Sequence, residues 1–150
     1  MSPMSMKEQI QNDLKTALRE NDEVRKRTLR MVLSAIRLFE VEKGIELDDS
    51  AVFSILQKEV KSRNEAIADA QRANRPDLVQ ASQQELAILE SYLPKALSES
   101  ELEELARQAI TEAGATSIQQ MGQVMKILIP RLQGRASGDQ ASQMVRKLLQ

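Results

Sequence analysis

Apolar residues recur along this chain at spacings of three and four, the signature of amphipathic helices, and local stop and start signals cut the pattern into seven pieces. Ser5 and Glu8 have capping-box spacing, and Ile10, Leu14, Ala17 and Leu18 then share one face, which predicts a first helix over roughly 6–20. Asp22 is a suitable N-cap for a second, longer helix whose stripe runs Leu29, Val32, Leu33, Ile36 and Phe39 to a stop at Gly44. Leu47-Asp48-Asp49-Ser50 restarts the chain. Val52, Leu56, Val60, Arg63 and Ile67 carry a third stripe to about Asn74, with a hydrophilic second half that either lies on the surface or projects from the body. Pro76 opens a fourth helix, with Leu78, Leu86, Leu89 and Leu93 on one face, ending at Pro94.

A second unit begins near residue 97. Ser98 and Glu101 repeat the capping-box spacing, and Leu97 and Leu102 are placed to act as a hydrophobic staple. Leu102, Leu105, Ala109 and Ile110 form the next stripe up to Gly114. Ser117 with Gln120 caps a run of Ile118, Met121, Met125, Leu128 and Leu132 that ends at Gly134, with Pro130 expected to bend or tighten it by crowding the Lys126 carbonyl. A last helix starts after Gly138, capped by Ser137 or Asp139, and buries Ala141, Val145, Leu148 and Leu149. The expected fold is all-α: an N-terminal domain of about four helices over residues 1–94 and a three-helix C-terminal domain over 97–150.

Composition narrows the chemistry. The 150 residues include no His, Cys or Trp, so imidazole and thiolate catalysis or metal ligation cannot be assembled from this chain alone. Without thiols there is no disulfide framework, and Met1-Ser2-Pro3-Met4-Ser5 leads into charge instead of an apolar signal core, which predicts a cytoplasmic location. No run of apolar residues is long enough to span a bilayer. Nucleophile elbows, phosphate-binding loops and dinucleotide fingerprints are missing, and the adjacent pairs Asp48-Asp49 and Glu103-Glu104 point about 100° apart on a helix. No catalytic residue, metal or cofactor is therefore expected.

Charge is balanced overall, 21 Lys and Arg against 22 Asp and Glu, but not locally. Arg25, Lys26, Arg27, Arg30 and Arg37 lie between Val24 and Phe39 with no acid among them. From Gly114 to Gln150, Lys126, Arg131, Arg135, Arg146 and Lys147 face Asp139 alone, whereas Glu99 to Glu112 carries five Glu against Arg107. Such clusters are either solvated helix faces or sites that hold a polyanion by its phosphates. With Phe39, Phe53 and Tyr92 the only aromatics, two of them core residues by their spacing, base stacking on single strands is disfavoured, and a folded RNA gripped by its backbone suits the chain better.

Several strings, in order, carry a resemblance: Leu29-Arg30 followed by Ser34-Ala35-Ile36, Lys61-Ser62-Arg63-Asn64-Glu65-Ala66, Arg75-Pro76-Asp77-Leu78, Glu85 to Tyr92-Leu93-Pro94, Met121-Gly122-Gln123-Val124-Met125 and Gly134-Arg135-Ala136-Ser137-Gly138. Together they resemble the YqeY family, stand-alone relatives of the tail domain of the GatB subunit of tRNA-dependent amidotransferases. The resemblance implies an all-helical accessory protein that binds tRNA, and a family grouping under carbon–nitrogen ligase activity with glutamine as amide donor. It also implies an amidotransferase or another protein as partner. Ser137 stands where the family often has Asp; both cap helices. Gly122, Lys126, Gly134, Arg135 and Gly138 fall on the C-terminal motif, and Lys61, Arg63 and Glu65 on the N-terminal one. The expected phosphate contacts are Lys126, Arg131 and Arg135, with Gly134 and Gly138 admitting the backbone and Arg25, Arg27, Arg30, Lys61 and Arg63 secondary. The alternative is a protein-interaction scaffold with no nucleic-acid role.

Overall fold

The computed structural model describes residues 4–150, so the reading of Met1-Ser2-Pro3 as part of a non-signal start lies outside the described residues. The described residues form seven α-helices and one 3-10 turn, with no strand. They divide into two compact units, the first ending at Leu93 and the second running Pro94–Gln150.

In the first unit, α1 (Met6–Glu20) pairs with α2 (Glu23–Lys43), α3 (Asp49–Arg72) pairs with α4 (Pro76–Glu90), and α2 also packs on α3 and α4. The ends obey local chemistry. Ser5, Asp22 and Asp48 accept from backbone amides three residues on, while Asn21 and Gly44 close α1 and α2 in the left-handed region at φ 54° and 68°. Ile10, Leu29, Val32, Ile36, Val52, Leu56 and Leu89 are sealed from solvent at the centre. Tyr92 is buried, and Phe39 and Phe53 are half-buried against the same cluster. The far half of the α3–α4 hairpin is held mainly by its own two helices: Ala70 is buried, whereas residues 71–78 are all exposed. Helix α4 stops at Glu90, short of Pro94, because Ser91-Tyr92-Leu93 forms a tight turn before the proline.

The second unit is a three-helix bundle of α5 (Glu99–Ala113), α6 (Met121–Leu132) and α7 (Gly138–Leu149), each touching the other two. Both halves of the Ser98–Glu101 capping box form. Ser117–Gln120 caps a 3-10 turn, Ile118–Gln120, ahead of α6. Ser137, not Asp139, caps α7, in a third box with Gln140. The core holds Leu102, Ala106, Ala109, Val124, Leu128, Leu132, Ala141 and Val145. Met144 joins it, while Leu148 and Leu149 are only half-buried. No helix among the described residues is long and apolar enough to cross a membrane.

Candidate nucleic-acid interface

Ion pairing decides which of the many cations can meet a ligand. In the first unit Arg63 is largely withdrawn from water. Its side chain is 12% exposed, its Nε donates to Glu85 Oε2 at 2.6 Å, and its Nη2 lies 3.5 Å from Glu59 and 2.9 Å from the sulfur of Met31. Arg27, on α2, donates to the other oxygen of the same Glu85 at 3.2 Å. A carboxylate of α4 thus joins α2 to α3, and Arg63, expected as a secondary phosphate contact, instead ties helices together. Arg25 lies over its own helix cap, with Nε 3.6 Å from Asp22, and also sits beside the Tyr92 hydroxyl. Lys61 is exposed and has an intramolecular partner. Arg30 and Arg37 are exposed and form no ion pair with a described residue.

The second unit sorts its charge by helix. The acids sit on α5, apart from Asp139, and two of them hold cations of the α6 end. Arg131 pairs with Glu112. Arg135 donates from Nε to the Lys95 carbonyl at 2.9 Å and from Nη2 to Glu101 at 3.4 Å. Capping hydrogen bonds from the Ser98 backbone amide and hydroxyl, then the Arg135 charge, hold the Glu101 carboxyl below its usual range. The backbone around Arg135 is engaged too: the Leu97 amide donates to the Arg135 carbonyl at 2.8 Å. Arg135 is therefore a clasp between the loop before α7 and the start of α5.

Lys126, Arg146 and Lys147 remain exposed on α6 and α7 without an ion pair to any described residue. On α7, Gln143, Arg146 and Lys147 are exposed on one face, at whose N-terminal end Asp139 is the single acid. Of the cations expected at the site, Lys126 alone is both exposed and unpaired in this unit; Arg146 and Lys147, part of the same basic run, stand with it. The glycines divide as well. Gly134 has φ 77°, a conformation that side chains resist. Gly138 opens α7 with ordinary geometry, and a Cβ there would only touch Ile129 at 3.8 Å, so no close backbone approach requires it.

A model of the family described as Yqey-like protein matches residues 7–149. The chain belongs to the YqeY family. Curated relatives include three proteins called "Altered inheritance of mitochondria protein 41, mitochondrial". The one from Pyrenophora tritici-repentis is 33% identical over 85% of this chain and 71% of its own length. That from Lachancea thermotolerans is 32% identical over 69% of this chain and 57% of its own, and that from Meyerozyma guilliermondii 37% identical over 56% and 44%. The chain thus spans about half the length of the latter two. Their names correct the cytoplasmic expectation, since they point to mitochondria. Absence of thiols could not separate these compartments, because a chain without cysteine forms no disulfide in either.

Proposed function

We propose that this YqeY-family protein is an accessory tRNA-binding module that holds a folded RNA by shape and phosphate contacts, in the service of a partner that does the amide chemistry. The observation that carries this reading is the sorting of charge in the second unit. Its α5 acids pair with Arg131 and Arg135, leaving Lys126 on α6 and Arg146 and Lys147 on α7 exposed and without an ion pair to any described residue. Cations without internal partners release counterions from a polyanion at no pairing cost, whereas the exposed pairs of Arg131 and Arg135 must first give up modest, solvent-screened contacts. Arg30 of α2, also exposed and outside every ion pair with a described residue, is a further such cation. The link to amidotransferases rests on the resemblance to the GatB tail.

The test is a titration against folded tRNA and an equally charged duplex at several ionic strengths. Folded tRNA should bind tighter than the duplex, and changing Lys126 or Lys147 to Glu should lower affinity and reduce the salt slope by about one for each phosphate contact removed. Equal affinities for the two nucleic acids would refute the reading. The scaffold reading draws its support from a different feature, the exposed apolar side chains of Leu38, Val41 and Ile45. It predicts a retained protein partner and no preference for tRNA.

A further inference from the structure

Among the described residues, three of the seven large apolar side chains left in solvent fall within one short stretch of α2 and its stop: Leu38 is 58% exposed, Val41 72% and Ile45 61%. Isolated surface leucines need no explanation, but Leu38 and Val41, three apart on the last turns of α2, have the a–d spacing of a coiled-coil seam. The opposite face of α2, carrying Leu29, Val32 and Ile36, is already consumed by the core of the first unit. Leu38 and Val41 therefore form a second apolar stripe on an otherwise charged helix, while Ile45 is exposed in the non-helical segment beyond the Gly44 stop.

Charges flank this stripe in a way that selects a partner. With Leu38 at a and Val41 at d, Arg37 takes the g position on one side and Glu42 the e position on the other. Neither forms an ion pair with any described residue. In a parallel helix pair, g residues of one chain face e residues of the next heptad in the other, so Arg37 would meet Glu42 of a second copy, twice over by symmetry. In an antiparallel pair, g faces g and e faces e, and both contacts become repulsive.

We propose that the protein self-associates through this stripe as a parallel two-fold dimer, with Leu38 and Val41 stacking on their own symmetry mates and Arg37 pairing with Glu42 across the seam. The proposal rests on neither reading of the function. A seam this short sits below the area of permanent dimers, so association is weak and concentration-dependent.

The chain has no cysteine, so one introduced thiol is an unambiguous probe. Parallel symmetry brings each d residue close to its own copy, within the Cα separation a disulfide needs. Val41→Cys in the full chain should therefore crosslink under mild oxidation at least about ten-fold faster than Leu78→Cys, at an exposed apolar position on α4 of the same unit, more than their exposures of 72% and 47% account for. In sedimentation at rising loading, the wild-type mass should climb above the 16.9 kDa monomer. Leu38→Glu should hold it there. Glu42→Arg should weaken association, and Arg37→Glu added to it should restore it. Three results would each overturn the proposal: equal crosslinking at the two cysteine positions, a monomer at every loading, or faster crosslinking in a mixture of Leu38→Cys and Val41→Cys than in Val41→Cys alone, which is the antiparallel signature.

Discussion

Replacing Arg63 by Met removes the charge at the centre of the first unit's ion-pair network while keeping a stem of similar length against Met31. Glu85, 16% exposed, then loses its 2.6 Å partner and keeps only Arg27, which is 58% exposed. Breaking a fully buried pair from one side costs about 3–5 kcal/mol, because the surviving charge is stranded. Glu85 retains some water and a solvent-screened contact with Arg27 worth at most about 1 kcal/mol, so the expected loss is about 2 kcal/mol. For a domain of this size that lowers the melting temperature by about 8–16 °C. Tyr92 is the only tyrosine, there is no tryptophan, and Tyr92 is buried in the first unit. Its fluorescence during urea or thermal unfolding therefore reports on that unit, which avoids treating a two-unit chain as one transition. Adding Glu85→Leu to Arg63→Met removes both charges and should recover the stability to within about 1 kcal/mol of the starting protein. A single variant within about 0.5 kcal/mol of the parent would refute the reasoning, as would a double variant whose loss equals the sum of the two singles.

Tyr92 itself gives a pH-dependent prediction. Burial first, and then the hydrogen bond from its hydroxyl to Asp13 at 2.6 Å, push its pKa above the ordinary value of 10. Because the folded state holds the proton more tightly than the unfolded chain, this stabilisation is complete below pH 10 and is lost as pH rises above it. Tyrosinate absorbance should appear only together with unfolding of the first unit, and in Tyr92→Phe the alkaline loss of stability should be smaller; ionisation ahead of unfolding would contradict the burial argument. At the end of α6, Gln133 sits at φ 50°. Gln133→Gly should stabilise the second unit by about 0.5–1 kcal/mol in denaturant titrations, the strain relieved exceeding the entropy added to the unfolded chain; destabilisation would show the side chain to be engaged.

Helix boundaries were legible because the groups that set them are neighbours in sequence. Ser98 meets the amide of Glu101, Ser137 that of Gln140, and Gly44 takes the left-handed turn that ends α2. The exception at Pro94 has the same origin read too generously: the stripe through Leu93 continues past the point where the turn before proline has already broken the helix. The site was less legible. Arg27 and Arg63 reach Glu85 from 58 and 22 residues away, and Arg135 reaches the Lys95 carbonyl across 40. Nothing in their local spacing distinguishes them from Arg146 or Lys126, which carry the same charge on the same kind of helix. Local periodicity tells which face of a helix looks outward, but not which outward charge finds a partner after folding.

That distinction turns a nearly neutral protein into one with directional charge. Had the acids of α5 been scattered over the three helices of the second unit, each cation would have had a carboxylate within reach, and the bundle would be electrically bland. Grouped on one helix, they pair with Arg107 of that same helix and with two cations that fold next to it: Arg131 opposite Glu112, and Arg135 over the Glu101 cap. None of the carboxylates of α5 forms an ion pair with Arg146 or Lys147. Arg131 and Arg135 also perform a structural task, fixing the α6 end and the loop before α7 against α5. The same pairing that stabilises the bundle therefore selects which positive charges stay available, and exchanging Glu112 and Glu101 for neutral residues would enlarge the basic face while loosening the frame that presents it.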